Sequence, residues 1–148
     1  MISQYISSPM NYIGGKYKLL PQLFPLFPED VGTFVDLFCG GANVGVNATA
    51  SKIIFNDNLT YLMDLYNAFQ QNPLDVTVSY VENRIADFNL SLTNQEGYLK
   101  LRAEYNTHRN PLDLFASNIE KILSNMLSLL PIYLMITMLT FPPQGHNL

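Results

Sequence analysis

Two largely apolar runs, separated by a glycine-rich stretch, stand out in the first half of the chain. They cover residues 34–38 and 53–55 and lack the alternation of a half-exposed strand, so they predict strands that helices bury on both faces. Gly40 and Gly41 between them predict a tight turn that leads into a short helix. Asp57 follows the second run at its carboxyl end. This order predicts half of a nucleotide-binding α/β sheet.

The other apolar positions recur at helical spacing between proline and asparagine breaks. The spacing predicts a short helix that ends at Pro25, and longer helices over residues 60–71 and 75–88. A capping-box pattern that begins at Thr93 and an Asn-Pro start signal at Asn110 predict two further helices. The positions at helical spacing are Leu19, Leu20, Leu23, Phe24, Leu62, Leu65, Tyr66, Phe69, Val78, Val81, Ile85, Tyr98, Leu101, Arg102, Tyr105, Leu112, Phe115, Ile119, Ile122, Leu123 and Met126.

Residues 126–141 form an uncharged apolar run that only Pro131 interrupts. A membrane-spanning helix needs about 20 apolar residues, and no run of Lys or Arg flanks this segment. We therefore expect a buried or misplaced segment rather than a transmembrane helix. Residues 142–148 are expected to form a frayed polar tail.

The composition bounds these expectations. With 148 residues, 48% of them apolar and 14% charged, the chain is expected to fold as one domain, too short to include a full second one. The formal net charge of −4 provides no overall attraction to nucleic acid. Cys39 is the single cysteine and there are two histidines, so we expect no disulfide, no metal site and a cytoplasmic location.

The glycine turn and Asp57 narrow the kind of ligand. Asp57 follows Asp36 by about 20 residues, the separation usual for a carboxylate that accepts hydrogen bonds from a ribose. The turn is not a G-x-G-x-x-G sequence and no Walker lysine follows it, so a phosphate cradle is not predicted. A ligand similar to adenosine, without a phosphate chain, fits better. The alternative is an ordinary strand-to-helix turn with Asp57 as a helix cap.

A second pair of glycines, Gly14 and Gly15, lies between Tyr12 and Lys16 near the N-terminus. A tyrosine ring can lie against the face of an adenine, and a lysine ammonium can meet a carboxylate. The two side chains therefore suit a ligand that has both groups. The alternative is a core tyrosine beside a solvated lysine.

Three ordered motifs extend this interpretation, namely SPMNYIGGKYKLLPQLFPLFP, FVDLFCGGANVGVN and IIFNDN. Over about residues 8–115, which include YLKLRAEYN and NPLDLF, the chain resembles the DNA adenine-N6 methyltransferases of the DNA adenine methylase type. The resemblance implies S-adenosylmethionine as the cofactor and double-stranded DNA as the partner. It also implies a Rossmann-like α/β fold, the S-adenosylmethionine-dependent methyltransferase fold, with an inserted helical DNA-recognition domain.

The resemblance also implies roles for individual residues. Tyr12 would lie beside the adenine or methionine moiety, and Lys16 near the methionine end. Asp36 would be the acidic residue of the strand before the glycine turn, and the main chain of the turn would pass close to the methionine portion. Asp57 would bind the ribose hydroxyls. The full set of implied cofactor contacts is Tyr12, Lys16, Asp36, Phe38, Gly40, Gly41 and Asp57.

One family motif has no counterpart in these 148 residues. The D-P-P-Y loop would bind the amino group of a flipped adenine and stack on its ring. Pro142-Pro143 lies between Phe141 and Gln144 and provides neither the acceptor nor the ring. We therefore assign no catalytic residue and expect a truncated or frame-shifted product that does not methylate DNA by itself. The alternative is a non-catalytic remnant, or a partner of a complementary methyltransferase fragment.

The predicted organisation follows from these motifs. Residues 8–72 are expected to form the N-terminal, cofactor-binding portion of the methyltransferase domain. Residues 73–125 would be helical and lead into the DNA-recognition domain. Residues 126–148, where the resemblance is lost, would be a divergent apolar tail.

Overall fold

The computed structural model describes residues 5–8, 10 and 14–118. The described chain divides into two compact units, one up to Thr60 and the other from Tyr61 onward. Several sequence predictions lie outside the described residues: Tyr12, the inward positions from Ile119 to Met126, the apolar run and the polar tail.

In the first unit, the predicted N-terminal helix forms as three short pieces. The α-helix α1, Leu20–Leu23, lies between two 3-10 turns, Tyr17–Leu19 and Phe24–Leu26. Pro21 and Pro25 are the second residues of α1 and of the second 3-10 turn, and each lacks the N–H that would continue the preceding hydrogen-bond pattern. Leu20 is fully buried as expected, but Leu19 is 43% exposed, so its predicted inward position is wrong.

The first unit contains the two predicted strands, β1 (Thr33–Asp36) and β2 (Lys52–Phe55). They pair in parallel, with Asp36 opposite Phe55. A 3-10 turn at Gly45–Asn47 lies in the connection between them. The prediction of strands buried on both faces is wrong, because two paired strands leave much of both faces open, and the side chain of Val35 is 49% exposed.

The second unit is helical, as the periodicity predicts. Its helices are α2 (Thr60–Gln71), α3 (Leu74–Asp87), α4 (Gln95–His108) and α5 (Pro111–Ala116). The four inward positions predicted in α2 are all buried, and the ring of Phe69 meets that of Phe115 edge to face at 5.1 Å. Helix α5 packs against α3 and α4. Val81, Leu101, Leu112 and Phe115 are also buried, so most of the described positions with helical spacing form the core of this unit. Tyr98 and Arg102 are exposed, so their predicted inward positions are wrong.

Helix starts in this unit depend on asparagine side chains. The predicted capping box at Thr93 is wrong by one position, because Asn94 is the N-cap of α4 and accepts a hydrogen bond from the Gly97 amide at 3.1 Å. The predicted start at Asn110 is confirmed: its side chain accepts a hydrogen bond from the Leu112 amide at 3.0 Å.

A buried ion pair connects α3 to α5. Arg84 donates two hydrogen bonds to Asp113, at 2.8 and 3.1 Å, and Asp113 is only 1% exposed. Tyr80 donates a third hydrogen bond to Asp113 at 2.8 Å and accepts one from Asn110 at 2.8 Å. Burial and the hydrogen bond to Asp113 raise the pKa of Tyr80 to about 12, so this phenol stays a donor at neutral pH.

Two further features concern the described residues. No helix among them is long and apolar enough to cross a membrane. These residues also contain no group of three or more His, Cys, Asp or Glu side chains that could hold a metal ion. The apolar run at residues 126–141 lies outside this part of the chain.

Candidate functional site

A cavity of about 310 Å³ lies in the first unit, beyond the carboxyl ends of β1 and β2. Its lining comes from three stretches of chain: the turn at Gly14, the segment that follows β1, and the residues that follow β2. Six of the seven residues predicted from the sequence line it, and the seventh, Tyr12, lies outside the described residues. These six are Lys16, Asp36, Phe38, Gly40, Gly41 and Asp57.

The glycine turn after β1 is held by the carboxylate after β2. Gly40 has a positive φ of 47°, which favours glycine, and its amide donates a hydrogen bond to Asp57 Oδ2 at 2.8 Å. The other oxygen, Asp57 Oδ1, accepts from the Leu59 amide at 3.1 Å. The Ala42 amide closes the turn onto the Cys39 carbonyl at 2.7 Å. Asp57 therefore organises the backbone around the cavity.

Asp36, at the end of β1, fixes the start of the following 3-10 turn. Its Oδ2 accepts a hydrogen bond from the Gly45 amide at 2.8 Å. Burial raises the pKa of Asp36, the Gly45 hydrogen bond lowers it, and the nearby charge of Asp57 raises it, with a net upward shift. The cavity thus has two neighbouring carboxylates, of which Asp36 releases its proton less readily than an exposed aspartate.

Two glycines of this segment, Gly41 and Gly45, leave room for other side chains of the protein. A Cβ at Gly41 would lie 3.0 Å from the Ser8 hydroxyl oxygen, and one at Gly45 would collide with the ring of Phe55. The resemblance implies that the cofactor passes close to this turn. The structure shows that the N-terminal segment also approaches Gly41.

Lys16 and Phe38 lie at the more open parts of the cavity. The Lys16 ammonium donates a hydrogen bond to the Gly14 carbonyl at 2.8 Å, and no ion pair joins it to a carboxylate in the described part of the chain. The side chain of Phe38 is 80% exposed. Both side chains are therefore accessible to a ligand.

Cys39 also lines the cavity, and its protonation state limits what it can do. Burial raises the pKa of its thiol to about 12, and the charges of Asp36 and Asp57 add to this shift. The reactive form of a cysteine is the thiolate. At neutral pH Cys39 is therefore a small buried side chain and not a nucleophile.

Two asparagines next to the glycine turn were not predicted as site residues from the sequence. Asn43 lines the cavity and accepts a hydrogen bond from the Ser8 amide at 2.9 Å. Asn47 accepts from the Ile6 amide at 2.7 Å and donates to the Ile6 carbonyl at 2.8 Å. The sequence does contain a signal for them: the two asparagines are four residues apart in a stretch of small and apolar residues, and asparagines that are buried in such a stretch need hydrogen-bond partners.

Comparison with known proteins identifies the family of this chain. Residues 12–139 match the model of the D12 class N6 adenine-specific DNA methyltransferases. The chain belongs to this family. The resemblance identified from the three motifs is therefore confirmed, and methyltransferases of this class take their methyl group from S-adenosylmethionine and act on DNA.

Individual relatives agree with this assignment. The chain is 52% identical over 112 residues to modification methylase StsI of Streptococcus sanguinis, and 45% identical over 113 residues to type II methyltransferase M.FokI of Planomicrobium okeanokoites. It is 33% identical over 114 residues to modification methylase LlaI of Lactococcus lactis subsp. lactis. Each match covers 76% of this chain, but only 17% of the first relative and 18% of the other two.

Proposed function

We propose that the first unit binds S-adenosylmethionine and forms the cofactor-binding part of an adenine-specific DNA methyltransferase. The observation that carries the proposal is the cavity itself, which brings together Lys16, the end of β1, the glycine turn and Asp57 from separate stretches of chain. Its volume of about 310 Å³ is in the range of small-molecule sites.

The charges of the cavity suit this cofactor. S-adenosylmethionine has a sulfonium, an ammonium and a carboxylate, and its net charge is positive. The cavity offers two carboxylates, Asp36 and Asp57, and the single ammonium of Lys16. Lys16 can meet the carboxylate of the methionine end, while Asp57 can accept hydrogen bonds from the ribose hydroxyls through its remaining lone pairs. A nucleotide with a phosphate chain would instead meet the repulsion of both aspartates.

The chemistry proposed for the complete enzyme is transfer of a methyl group to the N6 atom of adenine in DNA. Bound S-adenosylmethionine supplies the methyl group as a sulfonium. The residues of this chain bind and orient it, and such positioning is a large part of catalysis in a direct displacement. No residue of the first unit is assigned as the acceptor for the adenine amino group.

We further propose that the two strands belong to a Rossmann-like sheet. A glycine turn and a carboxylate at the carboxyl ends of neighbouring parallel strands are the arrangement by which such sheets bind nucleosides. The helices after residue 72 are proposed to lead into the DNA-recognition domain, with residues 8–72 as the cofactor-binding part. The boundary at residue 125 stays a prediction.

Calorimetry with S-adenosylmethionine tests the proposal. The wild-type chain is expected to bind, and Asp57→Ala is expected to bind at least about tenfold more weakly, because hydrogen bonds to a charged group contribute about 1.5–3 kcal/mol. Asp30→Ala removes the same charge at an exposed position of the same unit and is expected to bind as the wild type does. Absence of binding by the wild-type chain would overturn the proposal.

A further inference from the structure

The segment Tyr5–Ser8 is attached to the glycine turn by asparagine side chains. Asn47 pairs with both backbone groups of Ile6, as a neighbouring strand would, with one hydrogen bond of 2.7 Å and one of 2.8 Å. The same Asn47 amide also donates to the Asn43 carbonyl at 2.8 Å. Asn43 in turn accepts from the Ser8 amide at 2.9 Å. The two asparagines thus hold one segment at two alternate residues.

Packing supports this attachment. Ser8 is 2% exposed and fits against the bare Cα of Gly41, where a Cβ would lie 3.0 Å from its hydroxyl oxygen. The Ser8 hydroxyl accepts a hydrogen bond from the Met10 amide at 3.1 Å, and Met10 is also buried. The segment therefore lies in a fitted position on the glycine turn and not on an open surface.

The attached segment also connects to the part of the cavity lining that contains Lys16. The Tyr17 hydroxyl donates to the Tyr5 carbonyl at 3.2 Å, and Tyr17 directly follows Lys16, which lines the cavity. Hydrogen bonds and short stretches of backbone thus run from Asn47 through Ile6, Tyr5 and Tyr17 to Lys16. The glycine-turn wall and the Lys16 wall are joined by this path.

We propose that Asn43 and Asn47 are positioning residues for cofactor binding: they fasten the N-terminal segment so that the Lys16 wall stays in place beside the glycine turn. They act through Lys16 and need not touch the ligand. The inference rests on the proposed function, because it specifies how that site is assembled. Asparagine suits the role of Asn47 because its amide both accepts from a backbone N–H and donates to backbone carbonyls, which aspartate cannot do.

A double-mutant cycle tests this positioning role. Calorimetry with S-adenosylmethionine compares Asn47→Ala, Lys16→Ala and the double variant. Each single change is expected to weaken binding about tenfold, as expected for the loss of a few net hydrogen bonds. If Asn47 acts through Lys16, the double variant is no weaker than the weaker single variant. Losses that multiply to about a hundredfold would overturn the role, because independent sites are additive in free energy.

Further variants separate positioning from folding. Asn47→Asp keeps the acceptor for the Ile6 amide but brings a carboxylate oxygen against the Ile6 and Asn43 carbonyl oxygens, so its affinity is expected to be no higher than that of Asn47→Ala. Should Asn47→Ala fail to fold, the cycle is run with Asn43→Ala, which removes the acceptor of the Ser8 amide. Asn72→Ala is the matched control, because within the described residues its side chain bonds only to the Ala68 carbonyl, in the helix that ends just before it. It is expected to bind as the wild type does.

Amide hydrogen exchange provides a readout that needs no cofactor. In the free protein, Asn47→Ala is expected to speed exchange of the Ile6 amide at least about tenfold, because this amide loses its acceptor. Unchanged exchange would overturn the fastening. Failure of the wild-type chain to bind S-adenosylmethionine would overturn the proposed function, whereas wild-type affinity in Asn47→Ala would overturn the positioning role alone.

Discussion

Asp57 Oδ2 and the Gly40 amide are joined by a hydrogen bond of 2.8 Å that connects the ends of the two parallel strands. The residue predicted from the sequence to bind a ribose is therefore also the residue that fixes the glycine turn. With its second oxygen on the Leu59 amide, this carboxylate holds both the glycine turn and the segment that follows β2. A site organised before its ligand arrives loses less entropy on binding.

The first prediction is that Asp57 stabilises the fold without any ligand. Asp57→Ala removes two accepted backbone hydrogen bonds and is expected to lower the free energy of unfolding by about 1–3 kcal/mol. Urea unfolding of the free protein measures this change. Asp30→Ala, at an exposed position, is the control and should leave the urea midpoint unchanged. An unchanged midpoint for Asp57→Ala would show that the turn is held by other contacts.

The second prediction concerns Gly45, whose hydrogen faces the ring of Phe55. In Gly45→Ala the new methyl group would overlap that ring and press on Asp36, so we expect a loss of about 1–3 kcal/mol in the free energy of unfolding. Gly32→Ala is the matched control, because a Cβ at Gly32 meets nothing within 4 Å. Thermal unfolding compares the two variants, and equal midpoints would contradict the predicted overlap.

Local pattern was enough to predict most of the elements. The apolar runs placed β1 and β2 within two residues of their observed ends, and helical periodicity identified the buried face of α2 without error. One error arose where two neighbouring residues could fill the same role. At the start of α4, Thr93 and Asn94 are both good caps, and the tertiary structure uses Asn94.

The sequence predicts which residues line the site, but not the contacts that hold them in place. Motif order brought out Lys16 and Asp57, and the structure places both beside one cavity. The fastening by Asn43 and Asn47 was missed because it joins residues 35 and 41 positions apart, and hydrophobic periodicity contains no information about such pairs. For the same reason the sequence does not predict that Ser8 packs against Gly41.

The third prediction concerns the buried ion pair between Arg84 and Asp113. Arg84→Ala leaves a carboxylate that is 1% exposed without its cation, so we expect a loss of about 3–5 kcal/mol in the free energy of unfolding. Replacing both partners, as Arg84→Met with Asp113→Leu, is expected to cost less than Arg84→Ala alone, because no buried charge remains.

Urea unfolding measures these variants against Lys100→Ala. Lys100 forms an ion pair with Glu96 at 2.7 Å, but both side chains are largely exposed, so the midpoint of Lys100→Ala should not change. A double variant less stable than Arg84→Ala would show that the apolar pair cannot pack in this position.

The fourth prediction is a pH dependence that arises from Asp36. Burial raises its pKa in the folded protein above the ordinary value of 3.8, so the folded state keeps this proton to a higher pH than the unfolded state does. Its contribution to stability is therefore fully present below pH 3.8 and is lost as the pH rises through the raised pKa. Asp36→Asn has no such loss, because an asparagine side chain does not titrate in this range. Its amide oxygen can still accept from the Gly45 amide. Between about pH 4 and pH 7, the urea midpoint of wild type should therefore fall relative to that of Asp36→Asn as the pH rises. The control variant Asp30→Asn should show no such trend relative to wild type. Parallel curves for wild type and Asp36→Asn would contradict the raised pKa.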